Sequence, residues 1–266
     1  MEQIKSTIIN KLRKFFSDSG FNKAVLGMSG GIDSALVLAL SVEALGKDNV
    51  LPVLMPSKFS SDHSVNDSLR MIEILQTQHH IIRINDIYDT VNQSLAPIFN
   101  GLPFDVTEEN IQARIRGLLL MAISNKQRRL LLNTSNKSEL SVGYGTMYGD
   151  LCGAISVIGD IYKTEVYQLS NYINKDKEII PYNIINKVPS AELHPDQKDE
   201  DSLPPYDILD AILRLLVDKG LSKEEIKSQG FDADIVDRIC HLYYSSRYKS
   251  KQLPPVLTID TSATDW

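Results

Sequence analysis

The sequence predicts an α/β fold, a doubly wound parallel sheet with helices on both faces, and three observations predict it. Short apolar runs alternate with longer stretches of helical periodicity, and a glycine-rich turn directly follows the first apolar run. The chain has 266 residues, 42% of them hydrophobic, which is enough to bury a full core. One domain is expected over residues 1–266, with a helical C-terminal part over about 205–248.

The elements follow in order. MEQIKSTIINKLRKFF is an amphipathic helix without the apolar core and cleavage site of a signal peptide. Residues 24–28 form an apolar strand, the glycine turn follows, and apolar positions continue around a helix over 34–45. Residues 50–55 are strand-like and 62–78 helical; 80–84 are strand-like and 86–99 helical. Thr107-Glu108-Glu109-Asn110 has the form of a capping box opening a helix to about Asn125. Residues 129–133 then make a buried strand ending at the sheet's carboxyl edge, where open α/β sheets bind ligands. Residues 143–160 hold five glycines and little periodicity, the pattern of a long functional loop. A helix is expected over 163–173. The proline-rich, charged stretch 188–206 is either a linker or a lid that orders over ligand. Three helices follow over 207–244, and the tail 249–266 has no clear element.

The net charge of −6 provides no field for nucleic acid or an anionic membrane, so an anionic ligand must be held by local groups. No apolar run is long enough to span a bilayer, and a soluble cytoplasmic protein is expected. Cys152 and Cys240, the only cysteines, are too few for a disulfide framework or a cysteine-built zinc site.

The turn Ser29-Gly30-Gly31-Ile32-Asp33-Ser34 lies between a strand and a helix, where backbone N–H groups and the positive helix end surround an anion. It lacks the lysine of a Walker A loop and does not fit GxGxxG. Its SGGxDS form matches the pyrophosphatase-type loop of ATP enzymes that release pyrophosphate. Asp33 beside phosphates needs an intervening cation, which implies Mg²⁺ and a second acid. Glu139, in Asn133-Thr134-Ser135-Asn136-Lys137-Ser138-Glu139 after a buried strand, is the best candidate, against the alternative of an exposed first-turn glutamate.

The loop, NTSNKSE, GYGTMYGD and KVPSAELHPDQKDEDSLPPYD, in that order, resemble NAD synthetase over about residues 21–255. The resemblance implies an adenine nucleotide alpha hydrolase-like fold, a homodimer, and amidation of deamido-NAD. In that reaction ATP adenylates the nicotinate carboxylate, pyrophosphate leaves, and ammonia displaces AMP. It further implies ATP contacts at Gly27, Met28, Ser29, Gly30, Gly31, Ile32, Asp33, Ser34, Thr134, Lys163 and Ser190. Mg²⁺ would be held by Asp33 and Glu139, and the dinucleotide would be met by Asn110, Arg114, Glu139, Lys249 and Lys251. Arg116 has the look of a polar helix face.

Ammonia-only members usually carry Lys where this chain has Met147 and Asp where it has Ala154, so the chain looks closer to the synthetase half of glutamine-dependent members. The amidase domain of those members has no room before the phosphate loop. The resemblance thus implies free ammonia, a separate glutaminase subunit, or a trimmed longer protein. Rivals are another pyrophosphate-releasing amidotransferase and, in a different class, a nucleotide-binding regulator, which needs no second acid. The sequence leaves open whether a mononucleotide competes with the dinucleotide.

Overall fold

Among the described residues five strands pair, all in parallel: β1 (Ala24–Gly27), β2 (Val50–Leu54), β3 (His80–Ile81), β4 (Leu130–Asn133) and β5 (Ile155–Ser156). The structure, a computed structural model, describes residues 1–259. The strand order β3-β2-β1-β4-β5 reverses beside β1, because the chain first runs outward to β3 and then returns to put β4 on β1's other side. The crevice at such a switch point, outside the carboxyl ends of the strands, is where ligands enter.

Successive strand residues face opposite layers. Ala24, Leu26, Val50, Leu54 and Leu132 join the core formed with α1 (Glu2–Ser19), α2 (Ile32–Leu45) and α3 (Asp62–Leu75). Val25, Leu51, Val53 and Leu131 join the core formed with α4 (Asn85–Phe99) and α5 (Val106–Gln127). Helices therefore cover both faces, as the apolar alternation predicts. From Ser34 to Ser41 every residue of α2 is buried, so the helix carrying the loop's end is anchored on nearly all sides.

The remaining helices are α6 (Lys137–Val142), α7 (Lys163–Ile173), α8 (Tyr182–Asn186), α9 (Tyr206–Leu213), α10 (Lys223–Lys227), α11 (Ala233–Ser245) and α12 (Arg247–Ser250). Leu209, Ile212, Leu213, Val236 and Ile239 build a separate apolar cluster that also takes in Val142 of α6 and Tyr162 at the start of α7. This cluster packs α9 and α11 against α6, and α9 against α7.

Several boundaries differ from expectation for local reasons. The cap of α5 is Asp105, two residues before Thr107: its carboxylate accepts from Thr107 N at 2.7 Å while Glu108 closes the capping box. The stretch 143–160 contains β5, whose two residues are too short to show periodicity. In the tail, Ser156 N donates to Pro255 O at 2.8 Å and Leu257 N to Ser156 O at 3.0 Å, so the chain returns to the sheet edge beyond β5. Residues 260–266 of the tail lie outside the described residues. Helix 62–78 stops at Leu75 because Gln76 adopts a left-handed φ of 54°. After α9 the chain widens into a π-helical turn, Arg214–Asp218, before α10.

Candidate active site

β1 runs into the glycine turn at the switch point, and two serines staple that turn. Gly31 N donates to Ser29 Oγ at 3.2 Å, Ser29 N to Ser34 Oγ at 3.3 Å, and Ser34 Oγ to Gly31 O at 3.0 Å. Gly30 has φ 84°, and a Cβ there would stand 2.5 Å from Ser64 O, so conformation and space both demand glycine. α2 begins after Gly31 with no side-chain cap, which leaves its first-turn N–H groups available to an anion.

Asp33 accepts from Asn136 Nδ2 at 2.9 Å through Oδ1 and from Lys163 Nζ through Oδ2. Asn136, fully buried, also caps α6: its Oδ1 accepts from Glu139 N at 3.0 Å while Glu139 Oε2 accepts from Asn136 N at 3.2 Å. One asparagine thus ties both acids together across 103 residues of sequence. Glu139 does stand on a first helical turn, but its side chain is only 15% exposed, with Oε1 3.8 Å from Lys163 Nζ. Burial, then repulsion from Asp33, raises the Glu139 carboxyl well above its ordinary value against the pull of Lys163. Burial opposes the Lys163 charge, yet Asp33 and Glu139 outweigh it and lift the ammonium above the usual lysine range.

One cation therefore serves two carboxylates. No group of three His, Cys, Asp or Glu side chains suited to a metal occurs among the described residues. Two acids leaving most positions to phosphate and water is the donor set Mg²⁺ takes beside a nucleotide, so the residues fit that ion.

The cavity at this edge has a volume of about 280 Å³. Gly27, Met28, Ser29, Gly31, Ile32, Asp33, Ser34, Thr134, Glu139, Lys163 and Ser190 line it, whereas Gly30 packs on Ser64. Asn110, Arg114 and Lys249 gather instead around the 143–147 loop. Asn110 Oδ1 accepts from Thr146 Oγ1 at 2.6 Å, Arg114 Nε donates to Met147 O at 3.3 Å, and Lys249 Nζ donates to Gly143 O and Gly145 O at 2.8 and 2.9 Å. Lys251 is exposed.

Residues 188–193 form one wall. Glu192 latches them to the start of α3 by accepting from Ser61 Oγ at 2.9 Å and Ser64 Oγ at 2.8 Å, and it also accepts from Lys187 Nζ, just after α8, at 2.6 Å. Gln112 Nε2 donates to Leu193 O at 2.8 Å, and Ser190 Oγ to Gln197 O at 2.6 Å.

Sequence reasoning missed Asp199, Asp210 and Arg116 as parts of this site. Asp199 is held by Tyr144 and Tyr206 hydroxyls at 3.1 and 2.8 Å, and burial raises its pKa. Asp210 accepts from Ser138 Oγ and from Thr164 N at 2.8 Å, clamping the starts of α6 and α7 without lining the cavity itself. Arg116, expected on a polar face, lines the cavity because α5 turns its Ala113–Gly117 side inward. Cys152 lines it too, but burial pushes its thiol pKa up, as suits a packing thiol.

A doubly wound sheet whose first strand turns through SGGIDS at the switch point defines the ATP pyrophosphatase class of α/β proteins. The model of the NAD synthase family matches residues 4–254, and the chain belongs to that family. It is 48% identical over 262 residues to the glutamine-dependent NAD(+) synthetase of Synechocystis sp., covering 98% of this chain and 47% of that protein. The chain thus spans about half the length of the curated relatives it matches. Among solved structures, NMN synthetase from Francisella tularensis aligns with TM-score 0.80 at 28% identity, covering 94% of this chain and 95% of that one. The NH3-dependent NAD synthetase from Campylobacter jejuni aligns with TM-score 0.77 at 31% identity, covering 95% and 96%.

Proposed function

We propose that the chain, as a single synthetase domain, amidates deamido-NAD to NAD. The observation that carries this reading is the Asp33–Lys163–Glu139 cluster at the switch point, beside an uncapped SGGIDS turn. A carboxylate is a poor acyl donor because oxide would have to leave. Adenylation by ATP forms the mixed anhydride and releases pyrophosphate; ammonia then attacks the acyl carbon, AMP departs, and the added nitrogen loses a proton.

Negative charge grows on the departing pyrophosphate. In this reading the uncapped first-turn N–H groups of α2 and the Lys163 ammonium beside them hold it. Mg²⁺, held by Asp33 and Glu139, would supply further neutralisation of the phosphates. Thr134 and Ser190, which both line the cavity, are assigned to ATP. Asn110, Arg114, Lys249 and Lys251 are assigned to the dinucleotide, with Lys249 acting through the loop carbonyls it grips.

The donor at this site is ammonia. The Campylobacter jejuni likeness supports free ammonia, and the Synechocystis relative supports glutamine as its source through an amidase, in the same protein or a separate subunit. The Francisella tularensis likeness keeps a mononucleotide as a second acid to test. A homodimer is supported by apolar side chains left exposed on α5, with Leu118 67% and Met121 39% accessible. A cytoplasmic location suits these substrates, and among the described residues no helix is long and apolar enough to cross a membrane.

Pyrophosphate release from ATP by the purified chain tests the reading. It should require deamido-NAD and ammonia together. Nucleotide binding without release, under any combination of acid and donor, would leave a binding protein and end the synthetase reading.

A further inference from the structure

Among the described residues three cationic side chains line the cavity: Arg116, Lys163 and Lys187. Two are committed, Lys163 to Asp33 and Lys187 to Glu192 at 2.6 Å. Arg116 has no ion pair among the described residues, and its single hydrogen bond runs from Nε to Met55 O at 3.1 Å. Both Nη nitrogens are left without an acceptor there. Arg129 shows the contrast of a guanidinium used for structure: its Nη1 donates to Ala24 O and Asn49 O at 3.2 and 3.3 Å, and its Nε to Gln127 at 2.9 Å.

Arg116 is also held in place. Gly117 beside it packs so tightly on the glycine loop that a Cβ there would stand 2.9 Å from Gly149 O, and the Met55 carbonyl fixes the guanidinium from β2's end. Burial pulls its pKa down to about 10, opposed by Asp150 and Glu192 from farther away, so it remains charged at neutral pH. A desolvated charge without a direct ion pair is costly, and a planar fork with free donors suits two oxygens of a phosphoryl or carboxylate group.

We propose that Arg116 is a substrate-contacting residue whose Nη groups receive an anionic oxygen of a molecule bound in the cavity. The proposal rests on the synthetase reading above, with ATP and deamido-NAD as the two possible sources of that oxygen. Arg116→Gln removes the charge and fork; Arg116→Lys keeps the charge and loses the fork.

The test titrates ATP and deamido-NAD separately by calorimetry into wild type and both variants, with thermal unfolding and kcat/KM measured alongside. Arg116→Gln should weaken one ligand by about 10- to 100-fold, with Arg116→Lys in between. A loss for ATP assigns the contact to its phosphates, a loss for deamido-NAD assigns it to the dinucleotide, and a fall in kcat with both affinities unchanged assigns it to the transition state. A folded Arg116→Gln that binds both ligands and turns over within twofold of wild type overturns the proposal. So does unfolding of both variants, which would make Arg116 a structural residue. Wild type that binds neither ligand would overturn the synthetase reading along with it.

Discussion

Asp33 and Glu139 share one ammonium, and Asn136 holds both in register, so the charge of each acid matters more than its volume. Asp33→Asn and Glu139→Gln should keep the fold and lower turnover by about 100- to 1000-fold, read as pyrophosphate release. Near-wild-type turnover in either purified variant would remove that residue from the metal site. Gly30→Ala meets a positive φ and the Ser64 backbone together, and it should lower unfolding free energy by about 1–3 kcal/mol in a urea titration. A wild-type midpoint there would mean the turn tolerates a side chain. Ser29, Asp33 and Ser34 were legible in the sequence because a local spacing carries them. Asp199 was not, since its hydroxyl partners come from Tyr144, 55 residues upstream, and Tyr206. Arg116 sits two places from Arg114, a spacing that on a helix reveals nothing about which of the two turns inward.

Among the elements, the wall over 188–206 shows how a segment without periodicity can still be placed. Its hold is polar, through Glu192 on Ser61, Ser64 and Lys187. Burial alone would raise the Glu192 pKa, but the bonds from Lys187, Ser64 and Ser61 outweigh it and lower it. A carboxyl whose folded pKa lies below its unfolded one stabilises fully above the unfolded value, and that contribution is lost as pH falls through the folded one. Acidification below the ordinary glutamate range should therefore loosen this wall, and Glu192→Gln should loosen it at neutral pH. Limited proteolysis over 188–206 measures both, and cleavage equal to wild type at neutral pH in Glu192→Gln would refute the latch. An ATP analogue with deamido-NAD should protect the same bonds; unchanged cleavage at saturation would argue against closure over ligand. The capping box of α5 was legible as a type of motif yet displaced by two residues, because Asp105 and Thr107 are both able caps and only the chain's path selects between them.

For the whole molecule, the two cores of the doubly wound sheet and the C-terminal helical cluster have different tasks. The sheet cores fix the turn at β1; the helical cluster, through Asp210, fixes where α6 and α7 start and hence where Glu139 and Lys163 stand. The exposed apolar residues of α5 predict self-association, and light scattering of the purified chain should give twice the monomer mass of 29.8 kDa. A monomer at micromolar concentration would remove that expectation. The sequence by itself determined the α/β class, both helical layers and the place of the glycine turn after β1, because apolar period and glycine spacing act over a few residues. Only the tertiary structure decided that Lys163 lies between Asp33 and Glu139, that the tail returns to the sheet beside β5, and that Arg116 faces the cavity. Those pairings join residues far apart in the chain, and which of many polar side chains meet is set by packing that no local pattern encodes.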